Sequence, residues 1–479
     1  MFFNSLEFAI FLPLVFLLYW FVFNRSKKAQ NTLLIIASYY FYACWDWHFL
    51  FLLIFSTLLD YVSGIKIERS NNERIAQFWF WLSVGINLGF LGIFKYYNFF
   101  AQSFADLCNK IGFEVHPYLL QLVLPVGISF YTFHGLSYVI DIYKKRIKAE
   151  YNFIDYSLFV SYFPLLVAGP IERATHLLPQ VKVKREFNFE KAKEGTYQII
   201  WGLVKKIVVA DFLVHCMQML IFDHSHTMNS YSLVLGAIYF AFQIYGDFSG
   251  YSDIALGTSK LFGIDLLKNF NYPYFSRDIA EFWRRWHISL SSWFRDYLYI
   301  PLGGSQGGKW MQVRNTFIIF LVSGFWHGAN WTFIIWGLIN AIYFLPLLLF
   351  NKNRTNLGTI HFQWNASGIT TIFNIISTFA LSTLAWIFFR AKSITDAYNY
   401  IRSIFTRQLL SLPEVRPKNM IVLIFVFMTI EWIGRKNDYA LATFGFNWSK
   451  AFRWSFYMVL LIAIFILGTK EQKFIYFQF

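Results

Sequence analysis

The sequence predicts an all-α protein that crosses a membrane many times. Of its 479 residues, 57% are hydrophobic and only 14% are charged, whereas soluble domains contain about 25% charged residues. The apolar residues form separate runs, and at about 20 residues per crossing they supply roughly ten to twelve spans. Aromatic residues make up 22% of the chain, which suits lipid-facing and interfacial positions. We therefore predict a single integral-membrane domain over residues 1–479 and no separate soluble domain.

The first elements are apolar helices joined by basic loops. Residues 6–23 have no basic stretch before them and no small-residue cleavage site, so we expect a retained first span and not a signal peptide. Basic clusters follow the first, third and fifth runs, at residues 25–28, 66–74 and 144–148. Cytoplasmic loops are enriched in Lys and Arg, so these loops are predicted to lie in the cytoplasm and the N-terminus outside. The net charge of +15 is attributed to this bias and not to binding of nucleic acid.

The run at residues 153–168 is expected to enter the membrane and return. Pro164 lies inside it and Gly169-Pro170 follows it, and proline interrupts a continuous helix. Only this one run separates the basic loop at 144–148 from the next, at 172–193. A re-entrant path keeps both basic loops on the cytoplasmic side.

The sequence predicts no metal site. Cys44, Cys108 and Cys216 are widely spaced and belong to no metal or disulfide motif. Residues 223–226 read Asp-His-Ser-His, which has a loose resemblance to metal ligands. They lie in a short polar loop without further ligands nearby, so a surface turn is favoured.

The longest polar region, residues 247–312, begins with two carboxylates. Asp247 and Asp253 stand six residues apart at the end of an apolar run. In a soluble loop they would belong to a solvated turn. At a membrane boundary an aspartate can instead orient a histidine or pair with an arginine, and both interpretations stay open from the sequence.

Residues 278–300 are predicted to form one amphipathic helix. Charged and hydroxyl side chains fall on one face, and tryptophan and other apolar side chains fall on the opposite face. His287 lies between these faces, and the arginines near it favour its neutral form. A neutral imidazole suits a base or a hydrogen-bond partner. The alternative is a helix that lies in the interface with its tryptophans among the lipid headgroups.

The glycine-rich residues 303–309 follow this segment and match parts of two motifs. Gly303, Ser305 and Gly307 fit the serine-hydrolase elbow, but no strand precedes them. The same segment fits most of a phosphate-binding P-loop, but Trp310 occupies the position of the hydroxyl residue that holds magnesium. A flexible turn is therefore favoured over either catalytic motif.

The most informative segment is Gly324–Trp331, which places His327 in the apolar run 317–350. A histidine can take a proton from a hydroxyl near neutral pH, and an ionisable group in a membrane usually lines a functional cavity. Small residues on both sides leave room for another helix or a substrate. The stretch 315–350 is too long for one crossing, so we expect it to divide near His327-Gly328.

Taken in order, these segments resemble the membrane-bound O-acyltransferase family, and within it the bacterial alginate O-acetyltransferase type. The resemblance covers nearly the whole chain, and the ordered set of motifs is far more specific than any one of them. The matching residues are Gly169-Pro170-Ile171 with Arg173, Asp247–Asp253, Asn271–Tyr274, Phe282–Leu290, Asp296-Tyr297, Ile300–Gly304, Gly324–Trp331 and Phe474–Phe479.

The resemblance implies an MBOAT-like ring of tilted transmembrane and re-entrant helices around a central catalytic cavity, with a catalytic core at about 160–345. His327 matches the near-invariant catalytic histidine of the family, and His287 matches its second signature position. Acetyl-CoA is the implied cytosolic cosubstrate. Members of this type pass acetyl across the bacterial inner membrane to an extracytoplasmic polysaccharide or to a periplasmic partner, expected here to be an SGNH-type acetyltransferase protein.

The chemistry of such a transfer assigns roles to polar residues near the two histidines. A thioester donor requires a deprotonated acceptor hydroxyl and stabilisation of the oxyanion that develops. His327 is expected to take the proton of the hydroxyl. His287 or donors in the segment 330–331 are expected to stabilise the oxyanion. The arginines of the polar region suit the phosphates of the coenzyme, although lipid phosphate is an equally suitable partner. The predicted substrate-binding and acyl-CoA-binding residues are Arg284, Arg285, Arg295, Asn330, Trp331, Asp247, Asp253 and Tyr297.

Three alternatives accompany this function. The first is transfer of another acyl or aminoacyl group in the modification of a cell-wall polymer. The second is a transporter without chemistry, which would require paired broken helices or a line of intramembrane charges. The third is a scaffold for a periplasmic acetylase. Direct transfer is favoured because no nucleophile motif is present, and an acyl-histidine intermediate is the mechanistic alternative.

Overall fold

Helices make up all of the regular secondary structure in the residues that the computed structural model describes. The predicted all-α class is therefore confirmed. The side chains of 215–217 and the whole of the loop at 223–226 lie outside the description, as do residues 476–479 of the C-terminal motif. The described residues are 1–217, 228–358, 366–406, 418–468 and 474–475.

Several of these helices are long and apolar enough to cross a membrane, which confirms a polytopic membrane protein. The shorter apolar helix Leu6–Val22 covers the predicted first span. Other apolar runs fall in short or interrupted helices, so the number of crossings stays a prediction. Within the described part of the chain, the five long segments are His48–Arg69, Glu73–Lys110, Trp331–Leu349, Ala366–Arg390 and Lys450–Leu467.

The chain divides into two compact units. Unit 1 comprises Met1–Thr196 with Ala255–Leu267, and unit 2 comprises Tyr197–Ile254 with Lys268–Phe479. Two helices run from one unit into the other, α10 (Phe189–Leu203) and α12 (Ser230–Leu261). The other helices of unit 1 are α1 (Leu6–Leu17), α2 (Lys27–Ala43), α3 (His48–Arg69), α4 (Glu73–Leu91), α5 (Tyr97–Lys110), α6 (Ile128–Tyr143), α7 (Phe153–Ser161), α8 (Phe163–Leu166) and α9 (Ala174–Val181).

The described helices of unit 2 carry most of the residues that the sequence singles out. Short π-helical turns interrupt both units, and in unit 2 they follow α10 at Val204–Asp211 and α14 at Arg295–Tyr299. The remaining helices of unit 2 are α11 (Phe212–Met217), α13 (Ile279–Arg285), α14 (Ile288–Phe294), α15 (Gly308–His327), α16 (Trp331–Leu349), α17 (Ala366–Arg390), α18 (Ile394–Thr406), α19 (Lys418–Gly434) and α20 (Lys450–Leu467).

Buried polar side chains join the apolar helices of unit 1. Asp60 on α3 is fully buried and accepts hydrogen bonds from Ser83 and Asn87 on α4, at 2.6 and 2.8 Å. Gly64 on α3 allows the ring of Tyr138 on α6 to approach, since a Cβ at this glycine would lie 2.7 Å from the ring. Polar groups and small residues hold membrane helices together where apolar contacts with lipid would compete.

The expected interruption of the run at 153–168 occurs at Tyr162. Helix α7 ends just before it and α8 begins just after it. The N–H of Phe163, freed by this break, donates to the hydroxyl of Ser38 at 3.0 Å. Both residues are buried, so the hydrogen bond replaces the one that a continuous helix would have made.

Helices α15 and α16 form a close antiparallel hairpin in unit 2. A Cβ at Gly324 would lie 2.3 Å from the carbonyl oxygen of Phe333, and a Cβ at Gly337 would lie 2.3 Å from that of Phe320. These glycines therefore permit backbone contact between the two helices. The predicted division of residues 315–350 is confirmed, because α15 ends at His327.

The prediction of one continuous helix over residues 278–300 is wrong. The chain breaks between α13 and α14 at His287, whose backbone is left-handed with φ 45° and ψ 54°. A right-handed helix of L-residues does not continue through that conformation. The N–H of Ile288 instead donates to the carbonyl oxygen of Asn269 at 2.9 Å. Part of the predicted polar face is buried, since Glu281 is only 1% exposed.

Candidate active site

His327 lies at the point where α15 ends and the chain turns into α16. The residue is 3% exposed. Its ring centroid lies 5.1 Å from that of Trp336 and 5.4 Å from that of Phe389. The close α15–α16 hairpin thus fixes a titratable ring inside an aromatic enclosure. Such burial of an ionisable side chain marks candidate functional sites.

His287 lies at the break between α13 and α14 and is 1% exposed. Its ring meets the ring of Phe248 edge to face, with centroids 4.6 Å apart. Neither ring nitrogen has a hydrogen-bond partner among the described residues. Burial lowers the pKa of His287 to about 3, so the imidazole is neutral at pH 7. The neutral form agrees with the prediction, but its cause is burial and not the neighbouring arginines.

The structure brings the two histidines together. Their ring centroids are 6.4 Å apart, and Trp326 contacts both, at 6.0 Å from His287 and 4.9 Å from His327. Hydrogen bonds in a reacting complex are about 3 Å long, so a single substrate group can contact both imidazoles at this separation. The arrangement is suited to the action of a base and a neutral hydrogen-bond donor on one carbonyl or hydroxyl.

An apolar cavity of about 340 Å³, called the apolar cavity below, lies against α15, the helix that ends at His327, although neither histidine lines it. Its wall includes Trp283, Ser323, Arg284 and Arg295. Trp283 also contacts Trp336, at 5.6 Å between ring centroids. Because Trp336 contacts His327, the rings of Trp283 and Trp336 connect the wall of the cavity to the candidate base. Two of the three predicted arginines therefore line a cavity whose wall is connected to His327 through these two rings.

A second, polar cavity of about 280 Å³ lies next to α13 and is called the polar cavity below. Arg284 lines this cavity as well as the apolar one. Arg285 lines only the polar cavity, and its guanidinium donates to Glu281 at 2.7 Å. The guanidinium of Arg295 is paired with Asp296 at 2.7 Å. The three predicted arginines are thus divided between two cavities.

The two aspartates of α12 are held in buried ion pairs. Lys206 lies 2.7 Å from Asp247, and Lys205 lies 3.0 Å from Asp253. Lys205 also lies 3.2 Å from Glu431. Sequence reasoning missed these two lysines and the glutamate. The detectable signal was a pair of adjacent lysines inside the apolar run at 196–221, because membrane segments keep such charges only when they are paired or functional.

Asp247 also connects the C-terminal motif to the histidine site within unit 2. Its carboxylate accepts a hydrogen bond from the N–H of Ile475 at 2.7 Å. Phe474 contacts Phe248, with ring centroids 5.8 Å apart, and Phe248 in turn contacts His287. Asp247 is 3% exposed, so it does not belong to a solvated turn, and its role in the site stays a prediction.

The other predicted residues lie around the hairpin and after α14. Asn330 caps α16, accepting from the N–H of Thr332 at 3.0 Å, and its amide donates to the carbonyl oxygen of Lys392 at 3.1 Å. Trp331 is 51% exposed. Tyr297 packs on Trp293, with ring centroids 4.9 Å apart. The contacts of these three residues do not indicate a part in the reaction, so their roles stay predictions.

In unit 1, the motif at 169–173 surrounds a buried carboxylate that sequence reasoning did not single out. Glu172 is fully buried, and its N–H donates to Nε2 of His134 at 3.1 Å. Its carboxylate lies 2.8 Å from Nδ1 of His176 and accepts from the N–H of Leu267. The hydrogen bond of His176 with the carboxylate of Glu172 raises the pKa of His176. This motif therefore fixes the local fold around α9.

Comparison with known proteins identifies the family. Residues 136–388, more than half of the chain, match the model of the membrane-bound O-acyltransferase family, and they include both histidines. The chain belongs to this family. As a membrane-bound O-acyltransferase, it is an acyltransferase embedded in a membrane, which confirms the resemblance inferred from its motifs.

The relatives in this family act on different polymers. The chain is 36% identical to the probable alginate O-acetylase AlgI of Pseudomonas aeruginosa, over 90% of this chain and 80% of the relative. It is also 36% identical to the peptidoglycan O-acetyltransferase of Helicobacter pylori, over 82% of this chain and 77% of the relative. Identity to the teichoic acid D-alanyltransferase of Bacillus subtilis is 28%, over 57% of this chain and 70% of the relative.

Proposed function

We propose that this acyltransferase moves acetyl from cytosolic acetyl-CoA across the bacterial inner membrane. The acceptor is a hydroxyl of an extracytoplasmic polysaccharide or of a periplasmic SGNH-type acetyltransferase protein. The observation that carries the proposal is the buried pair of His287 and His327, with ring centroids 6.4 Å apart. Relatives named as O-acetylases, which share 36% identity over most of the chain, support acetyl as the transferred group.

In this proposal His327 acts as the general base. Its imidazole takes the proton of the acceptor hydroxyl while the hydroxyl oxygen attacks the thioester carbonyl carbon. A C–O bond forms, and the electron pair of the carbonyl moves onto its oxygen. Collapse of this intermediate breaks the C–S bond, and the proton held by His327 passes to the departing thiolate of coenzyme A. Atoms and charge balance without a further reactant.

His287 suits stabilisation of the oxyanion in that intermediate. A neutral imidazole carries one N–H donor, and neither nitrogen of His287 is bonded to another described residue. Burial removes competing water, so a hydrogen bond to a developing negative charge is stronger there than in solvent. Of the other two donors considered from sequence, Asn330 already uses its amide at Lys392, and Trp331 is 51% exposed. The geometry therefore favours His287 for this role.

The apolar cavity is the proposed site of the acyl-carrying arm of the donor. Trp283 separates it from the aromatic residues around His327, and its indole Nε1 is buried without a hydrogen-bond partner among the described residues. A thioester arm with amide groups offers acceptors for this N–H. The arm would then approach the histidine pair from the Trp283 side.

The test compares surface polysaccharide from cells with the wild-type gene, without the gene, and with His327→Asn. We expect mass spectrometry to find acetylated sugars only with the wild-type protein, while immunoblots find His327→Asn in the membrane at normal amount. Normal acetylation in the His327→Asn strain would refute the proposal. Loss of an aminoacyl substituent instead of acetyl would replace acetyl with an aminoacyl group as the group transferred, which is the kind of group in the name of the D-alanyltransferase relatives.

A further inference from the structure

Asn269 is a fully buried polar residue of unit 2, on the segment between α12 and α13. Its side-chain oxygen Oδ1 accepts a hydrogen bond from the hydroxyl of Ser289 at 2.5 Å. Its side-chain nitrogen Nδ2 is buried and has no hydrogen-bond partner among the described residues. The side chain therefore uses its acceptor and leaves its N–H donors unbonded.

A buried donor without a partner destabilises a folded protein. Leaving such a group unbonded costs about 1–3 kcal/mol, so proteins bond nearly all of their buried polar groups. Where one is retained without a partner, a bound ligand, an ordered water or a catalytic role is the usual explanation. The position of Asn269 favours a catalytic role.

Two hydrogen bonds fix Asn269 against the residues that follow His287. Its backbone carbonyl oxygen accepts from the N–H of Ile288 at 2.9 Å, and its Oδ1 accepts from Ser289. These bonds hold the chain directly after the left-handed backbone of His287, a conformation that persists only where the surroundings fix it. The unbonded amide is thereby held next to an imidazole whose two nitrogens also have no partner among the described residues.

Aromatic rings surround this part of the site. Phe270, the residue after Asn269, contacts Phe248 and Trp286, with ring centroids 5.0 and 5.1 Å apart. Phe248 also contacts the ring of His287. The amide and the imidazole therefore share one buried apolar environment, in which a hydrogen bond to a developing negative charge is stronger than in water.

We propose that Asn269 is a second hydrogen-bond donor to the oxyanion, acting together with His287. The inference rests on the proposed function, in which transfer passes through an intermediate with a negatively charged oxygen. An N–H of Nδ2 and the N–H of His287 both donate to that oxygen, like the paired donors of an oxyanion hole. The amide keeps its protons, so the balance of the reaction is unchanged. The role is the same for an acetyl and an aminoacyl group, because both form this oxyanion.

The test measures transfer of radiolabelled acetyl from acetyl-CoA to polymer in membranes of a strain that lacks the gene and carries wild type or Asn269→Leu. Leucine is similar in size to asparagine but has no donor. Removal of one oxyanion donor reduces kcat about 10²–10³-fold, and we expect a loss of that order per amount of protein on immunoblots. KM for acetyl-CoA should be unchanged, because the oxyanion forms only after the donor has bound.

Two variants control for lost packing and lost hydrogen bonds. Ser289→Ala removes the bond to Oδ1 and keeps the amide donor, so kcat should fall less than about tenfold, as for one hydrogen bond of about 1 kcal/mol. Asn87→Ala removes another buried asparagine, which donates to Asp60 at 2.8 Å in unit 1. It should lower the melting temperature and leave kcat unchanged. Asn269→Asp, of nearly the same size and also without an amide N–H, takes the place of Asn269→Leu if the leucine variant does not fold.

A double variant separates a donor from a residue that only positions His287. Combined with His287→Ala, Asn269→Leu should reduce the rate further, because a donor acts on the oxyanion itself. No further loss would overturn the inference, as would wild-type kcat in Asn269→Leu or equal losses in Asn269→Leu and Ser289→Ala. Loss of kcat in Asn269→Leu with a wild-type rate in His327→Asn would keep the second donor and refute the proposed base. Transfer that requires His327 but not Asn269 would do the reverse.

Discussion

The contact between α15 and α16 predicts that Gly324→Ala damages both stability and catalysis. The added Cβ would lie 2.3 Å from the carbonyl oxygen of Phe333, whereas real Cβ atoms essentially never approach closer than 3.0 Å. The difference requires a backbone shift of at least 0.7 Å between the two helices. Overpacking of this kind costs about 1–3 kcal/mol. His327 lies almost one helical turn after Gly324 on α15, so the shift also moves the imidazole.

A misplacement of about 1 Å can reduce the rate of an enzyme about 100-fold, and we expect a loss of that order in acetyl transfer by Gly324→Ala. The assay is transfer of radiolabelled acetyl from acetyl-CoA by protein in proteoliposomes, together with the thermal melting temperature. Gly89→Ala is the matched control, because a Cβ at Gly89 on α4 meets nothing within 4 Å. If Gly324→Ala has the rate and melting temperature of wild type, the close packing does not position His327.

Two further predictions concern buried and titrating charges. Lys205→Met removes the buried cation 3.0 Å from Asp253 and should lower the free energy of unfolding by about 3–5 kcal/mol, measured by thermal unfolding. The control is Lys193→Met, which removes one partner of an exposed ion pair and should cost less than about 1 kcal/mol. The hydrogen bond of His176 with the carboxylate of Glu172 raises the pKa of His176. The stability that this bond contributes is therefore complete below the usual pKa of about 6.5 and is lost as the pH rises through the raised value. The melting temperature of wild type should therefore fall over that interval, and a His176→Gln variant with the same fall would contradict this origin.

The features of the site that the sequence predicts correctly are those that depend on residues close together in the chain. Glycines beside His327, in an apolar run too long for one span, predict the division into α15 and α16. The family motifs identify His287 as well. Both features depend on residues close together in the chain, where spacing is informative.

The break at His287 could not be read from periodicity. Tryptophan and other apolar residues keep helical spacing from 278 to 300, although the chain leaves the helix halfway along. A left-handed backbone at a non-glycine residue is stabilised by its tertiary surroundings and has no local signal. Here the backbone of Asn269 and the ring of Phe248 provide those surroundings.

The charge pairs and the polar cavity also depend on distant residues. Lys205 and Lys206 were visible as charges in an apolar run, but their partners on α12 and α19 lie far along the chain. Arg435 joins Arg284 and Arg285 at one cavity only after α19 has packed in unit 2. Sequence spacing identifies such residues as costly to bury, while the fold decides what each one meets.

The most direct test of the central claim is acetyl transfer by purified His327→Asn. Wild type and variant are reconstituted in proteoliposomes with acetyl-CoA and a hydroxyl acceptor, and the rate of acetyl-ester formation is measured. Loss of a positioned general base reduces rates about 10²–10⁴-fold, and we expect a loss within or above that range with coenzyme A affinity unchanged. A His327→Asn protein that binds coenzyme A and forms ester at the wild-type rate would contradict the assignment of His327 as the base.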